Sequence, residues 1–210
     1  MSIARDANST ATLGASPRTG SHTVSGSNTT LWLGSKGAAG YSTGATYNGV
    51  SMTRVADITS GVGEYYLSMF QLIAPSTGTN TVSVTVASSS VGWTAESYTG
   101  CDQTTQPDNS FTTNTASATA TITTSYTTVT DNAWVVGYYS SSANTLTAST
   151  GVNFLIAQLN NVALGDSNGA VTPAGSYSMT TTASSGTHAH ILAAIRPFVA
   201  NTYIPFIMFS

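Results

Sequence analysis

A serine, two aspartates and a histidine stand in an order that hydrolases use. Gly40-Tyr41-Ser42-Thr43-Gly44 matches the G-x-S-x-G nucleophile elbow, and Asp102 or Asp131 and then His188 follow it. An elbow works because a strand turns sharply into a helix and so presents the serine hydroxyl. Here GAAG (37–40) leads in and ATYNGV (45–50), a hairpin signal, follows. In a chain this rich in Gly and Ser a chance match is the expectation. His188-Ala189-His190 would set two imidazoles on one strand face about 7 Å apart, a spacing that suits a shared metal. A third ligand would have to come from another strand, where His22 is the remaining histidine, so the expectation is an ordinary outward-facing pair and no metal.

The carboxylates are dispersed over Asp6, Asp57, Glu64, Glu96, Asp102, Asp108, Asp131 and Asp166. Glycoside hydrolysis needs two of them across a cleft, and Glu64 with Glu96, both near strands, is the pair left open. Turn aspartates and solvated glutamates are the commoner arrangement. Trp32, Trp93 and Trp134 with ten tyrosines offer a sugar-stacking platform if exposed, but aromatics on alternating strands are more often core. Thr-rich faces at 81–85 and 115–123 suggest a soluble, uncharged sheet surface.

Composition narrows the classes further. Charged residues make up 6% of the 210, against about 25% in an ordinary globular domain. Ser and Thr, about a third of the chain, supply the polar surface instead. The five cations, Arg5, Arg18, Lys36, Arg54 and Arg196, form no basic stripe, which argues against nucleic acid, and a surface so poor in charge should respond little to salt. Cys101 is the single cysteine, so no intrachain disulfide forms. The first residues, MSIARDANSTATLG, lack the apolar core of a secretory signal, and no window of 18 apolar residues suggests a membrane span. Synthesis in a cytoplasm without export is the simpler expectation.

The elements that would position these residues are strands. TVSVTV (81–86) puts Val82, Val84 and Val86 on one face, TASATATIT (115–123) puts Ala116, Ala118, Ala120 and Ile122 on one face, and HAHILAAI (188–195) alternates likewise. YYLSMFQLI (65–73) and AWVVGYY (133–139) are apolar on both faces and read as central strands. Asn48-Gly49 is the strongest hairpin signal, since a type I′ turn needs positive φ at both central residues. PSTGTN (75–80), TGCDQTTQPDN (99–109), TDN (130–132), GDSNG (165–169) and TPAG (172–175) punctuate the remainder. Strands at this spacing predict an all-β fold, an antiparallel two-sheet β-sandwich of jelly-roll-like type.

TYNGVSMTRVA (46–56), SYTGCDQT (97–104) and PAGSYSMT (173–180), with a final strand ending in AIRP, resemble a β-sandwich module of bacteriophage structural proteins and large bacterial surface proteins. The similarity runs from about residue 21 to Pro197, and Cys101 stands where a small aliphatic residue would be expected. The resemblance implies a fold and a broad context, with no catalytic residues to transfer and no cofactor.

The segment after Phe198 lies outside that resemblance. In TYIPFIMF (202–209) both alternating sets are apolar, and Pro205 confines the segment to an edge or a non-ladder path. Burying Tyr203, Ile204, Phe206, Ile207, Met208 and Phe209 would contribute on the order of 10 kcal/mol before ordering costs. The organisation expected is therefore an N-terminal arm or first strand (1–20), a sandwich domain (21–198) and an apolar C-terminal arm (199–210). Functionally this predicts a non-enzymatic virion structural protein, a phage capsid decoration or cement protein or a tail or head-fibre component. Its partners would be further copies of itself or other virion proteins. A carbohydrate-binding or adhesion module is the alternative, with glycans as partners.

Overall fold

The computed structural model describes residues 1–59, 66–87, 90–142, 146–154 and 161–199. In chain order the strands are β1 (Ala4–Ala15), β2 (Arg18–Val24), β3 (Thr30–Gly37), β4 (Ser42–Tyr47), β5 (Val50–Ser51), β6 (Thr53–Thr59), β7 (Tyr66–Ile73) and β8 (Gly78–Val86). There follow β9 (Ser90–Thr99), β10 (Thr112–Thr127), β11 (Trp134–Ser141), β12 (Thr147–Ala148), β13 (Asn153–Phe154), β14 (Val162–Asp166) and β15 (Ser176–Ile195). Among the described residues there is no helix and every ladder is antiparallel, so the chain is all-β and sandwich-like. The ladders make three sheets where the sequence pattern suggested two: β1-β9-β3-β7-β6, β2-β8-β4-β5, and β10-β15-β11-β14-β13 with β12 added on β15.

The five-stranded sheet is the middle layer, because its strands are apolar on both sides. On one side Leu31, Leu33, Phe70, Val91, Trp93 and Ala95 pack against Val82, Val84, Val86, Ala45 and Tyr47 of the four-stranded sheet. On the other, Trp32, Leu67, Met69 and Tyr98 pack against Val136, Tyr138, Leu164, Ile191 and Ile195 of the six-stranded sheet. Gly34 lets the layers close there: a Cβ at this position would stand 2.2 Å from the Tyr138 ring. Residues 1–20 supply β1, which runs along β9 from Ala4 opposite Thr99 to Ala15 opposite Ser90, and the start of β2. The Asn48-Gly49 turn forms as expected, with φ of 50° and 76°, between Tyr47 and Val50.

The outer face of the six-stranded sheet is covered by its own two longest strands. β10 and β15 pair over nearly their whole length, with register shifts around Thr119 where Ala118 takes a φ of 54°. Beyond that irregularity the ribbon folds over, and Tyr126 and Met179 from its far half pack on Leu192, Ala194 and Tyr139. The same irregularity ends the expected alternation of 115–123: Ile122 is buried, whereas Ala118 and Ala120 are exposed. Outside the fold, Thr123 pairs with Thr180 at 2.9 Å and Ser125 with Ser178 at 2.9 Å, an exposed hydroxyl ladder.

Candidate functional site

Where the middle and six-stranded sheets meet at the end of β14, side chains of β1 and β9 converge on one carboxylate. Asp166 is fully buried, and Arg5 of β1 grips it in a fork, Nε to Oδ2 at 3.0 Å and Nη2 to Oδ1 at 2.6 Å. The Tyr98 hydroxyl of β9 donates to Oδ2 at 3.0 Å, and the Asn168 amide donates to Oδ1 at 2.7 Å. Arg5 also donates to the Asn168 side-chain carbonyl at 2.8 Å and lies 5.6 Å above the Trp134 ring. Glu96, on β9 two residues before Tyr98 and 1% exposed, completes the cluster. Burial pushes its carboxyl up to about 8, and the Asp166 charge works in the same direction; Tyr98 and Arg5 oppose this. Glu96 is thus protonated at neutral pH, a buried neutral acid and not the solvated carboxylate expected from sequence. Burial drives the Tyr98 hydroxyl well above its ordinary range as well.

Trp134 connects this cluster to an open cavity of about 460 Å³. The cavity is lined by Ile3, Trp134, Ala170, Pro197, Phe198 and Val199, with Met1, Ser2, Asp131 and Asn132 at its polar and N-terminal sides. Ile3 belongs to the core between the middle and six-stranded sheets, and half-buried Trp134 packs against that core, so the cavity is an opening onto it. The chain leaves the described structure at this place: the Phe198 amide is held by the Gly100 carbonyl at 2.8 Å, Pro197 bridges to Cys101, and Val199 is 66% exposed on the rim. Tyr203, Ile204, Phe206, Ile207, Met208 and Phe209, the expected arm, lie outside the described residues, as does Glu64.

The histidines are all buried, which corrects the outward-facing pair expected at 188 and 190. The reason is the folded ribbon, which covers a face of β15 that a simple sandwich would leave wet. The His190 Nδ1 lies 2.9 Å from Thr124 Oγ1 and its Nε2 2.8 Å from Thr181 Oγ1, both from the far half of the ribbon, while Tyr139 stands edge-on at 4.8 Å. Burial, with His188 adding to it, lowers His190 to about 3. His188 donates from Nε2 to the Thr119 carbonyl at 3.0 Å, and its Nδ1 has no partner among the described residues. Among the described residues no three His, Cys, Asp or Glu side chains converge on a metal-sized site.

The Ser42 set is not brought together. Ser42 is buried on β4 with its hydroxyl 2.8 Å from Ser35, on the side of the middle sheet away from His188. No helix follows it, Asp102 caps its own turn through Thr104 and Thr105, and Asp131 accepts from the Ala174 amide. The serine–histidine contact that does exist was not legible in the sequence: Ser9 Oγ is 2.8 Å from His22 Nδ1, and His22 Nε2 is 3.1 Å from Ser97 Oγ, which donates to Asp6 at 2.7 Å. Burial lowers His22 to about 4 against the pull of Asp6, so it is a weak base at neutral pH and ties β1, β2 and β9 together.

The aromatic platform is mostly core, as the alternation suggested, with Trp32 and Trp93 fully buried. Cys101 is buried beside Thr30, and burial pushes its thiol up to about 11, which leaves it unreactive. Comparison with known protein families, curated proteins and solved structures finds no match for this chain.

Proposed function

We propose that the chain is a non-enzymatic structural protein of a phage particle, a capsid decoration or cement protein that assembles through residues 203–209. The observation that carries this reading is an uncharged, strongly apolar segment that follows in sequence a largely apolar cavity beside Val199, the last described residue. Two further features support it. Among the described residues, the candidate groups Ser42, Glu96, Asp166, His188 and His190 are buried. The outer ribbon face carries paired hydroxyls, a soluble surface that salt hardly affects. The virion context rests on the resemblance of 46–56, 97–104 and 173–180 to phage sandwich modules.

The solution mass of the full chain and of a chain ending at Phe198, by light scattering after size exclusion, tests assembly. An oligomeric full chain and a folded monomeric truncation support the arm. Two folded monomers, the shorter melting several degrees lower, show a segment that covers its own protomer and sink it. Peptides of this chain in purified phage particles, detected by mass spectrometry, would support the virion context, and their absence from particles would remove it.

A further inference from the structure

We propose that the cavity beside Val199 is the receptor for residues 203–209 of a second copy of this chain, so that two copies exchange C-terminal segments across a two-fold axis. The inference rests on the assembly reading above and adds to it the site, the partner and the symmetry.

The lining fits the segment in character. Ile3 and Trp134 continue the core into the cavity, Pro197 and Phe198 extend its apolar lining with Ser2, Asp131 and Asn132 at the edge, and the segment carries no charge to desolvate. A volume of about 460 Å³ takes part of the segment, which leaves further rings to bury between the two exchanged segments. Three aromatics per copy, Tyr203, Phe206 and Phe209, at about 150–250 Å² each, bring the buried area on the order of 1,000 Å² before the aliphatic side chains are added. That approaches the ~1,200–2,000 Å² of a stable interface.

Symmetry follows from chain length. Tyr203 is four residues past Val199, at most about 14 Å of extended chain. Val199 itself lines the cavity of its own protomer. A second copy that places Tyr203 in this cavity must therefore bring its own Val199, and with it its own cavity, to within that short reach. Each protomer's segment is then within reach of the other's cavity, and a reciprocal exchange fills both. The contact is isologous and closes as a dimer, with no open end from which a fibre could grow.

Sedimentation velocity on the full chain and on three full-length variants tests this, with circular dichroism to confirm folding. Ala170→Arg and Val199→Arg place a charge on the exposed wall and rim of the cavity, and Ile207→Asp places one in the segment. The expected result is a dimeric parent whose mass falls by half in all three, with Val199→Arg deciding if Ala170→Arg does not fold. A monomeric parent overturns the exchange, and the assembly reading falls with it if the chain ending at Phe198 also melts several degrees lower. A parent that Ile207→Asp dissociates while both cavity variants keep its mass overturns the receptor site alone, because the arm then docks elsewhere. A parent larger than a dimer overturns the two-fold closure.

Discussion

Two of the buried polar ties in this protein contrast, one built on an ion pair and the other on a neutral imidazole. At the end of β14 an ion pair, Arg5–Asp166, is flanked by Tyr98 and a protonated Glu96. Inside the folded ribbon, neutral His190 bridges Thr124 and Thr181. Burial disfavours the charged form at both places, yet it moves the Glu96 acid up and the His190 base down, so these two groups respond to opposite ends of the pH scale. The comparison shows that a chain with 6% charged residues can still depend on charge, provided the few groups it has are placed between sheets.

The largest effect is expected at the ionic tie. Asp166→Ala leaves the Tyr98 hydroxyl and a mostly covered guanidinium without their acceptor, and breaking a buried pair from one side costs about 3–5 kcal/mol. Urea denaturation should show this as a large drop in the midpoint. Arg5 retains a partial exit to water, with 29% of its side chain exposed, which places the loss toward the lower end of that range. A loss under about 1 kcal/mol, typical of exposed pairs, would mean that the cluster contributes little to holding the layers.

His190→Ala should come next, costing about 1–3 kcal/mol at pH 7.5, since two buried hydroxyls lose their common partner. Its pH signature is distinctive. The folded-state pKa near 3 lies below the ordinary 6.5, so the unfolded chain binds the proton more readily. Stability from this group is complete above pH 6.5 and declines as pH falls toward 3. His22, near 4, adds a second decline of the same sign. Thermal melts between pH 4 and 7.5 should therefore slope less steeply in His190→Ala than in the parent; equal slopes would remove His190 as a source of acid sensitivity.

The strands themselves were legible, and so was the two-sided character of 66–73 and 133–139 among the described residues. A strand apolar on both faces needs cover on both faces, and a two-sheet sandwich gives its strands only one. The pattern thus already implied a third layer, but single-sequence periodicity does not say which strands supply it. The folding of the β10/β15 ribbon was harder to see, because it depends on Ala118 taking positive φ, which alanine seldom does, in a stretch of small residues with no glycine. The buried histidines follow from that fold and were misread with it. Glu96 and Asp166 are 70 positions apart, and nothing local marks either as buried. Ser9 and His22 meet because β1 of the middle sheet and β2 of the four-stranded sheet pack against each other across the layers.

Glu96→Gln sharpens the other arm of the comparison with a smaller change at acidic pH. Its folded-state pKa, near 8, exceeds the ordinary 4.5, so its contribution is complete below pH 4.5 and is lost as pH rises through 8. Glutamine imitates the neutral acid in shape. The variant should match the parent at pH 5 and exceed it in denaturant midpoint at pH 8.5. A variant that weakens the fold equally at both values would show that Glu96 is ionised throughout the range.

The smallest effect is expected one residue away from a substantial one. Thr180 and Thr181 are neighbours on β15 with opposite facing: Thr180 pairs with Thr123 on the exposed ladder, while Thr181 is fully buried against His190. Valine keeps the branched shape of threonine in either place and removes only the hydroxyl. Thr180→Val should change stability by no more than about 0.5 kcal/mol, as surface substitutions do. Thr181→Val leaves an imidazole nitrogen unpaired in the core and should cost about 1–3 kcal/mol. The ribbon's fold makes this difference, because in an open ribbon both hydroxyls would meet water. Equal small losses at the two positions would mean that the far half does not close over His190 in solution. The acid sensitivity assigned to His190 would then vanish with it, since an imidazole open to solvent has no reason to refuse a proton.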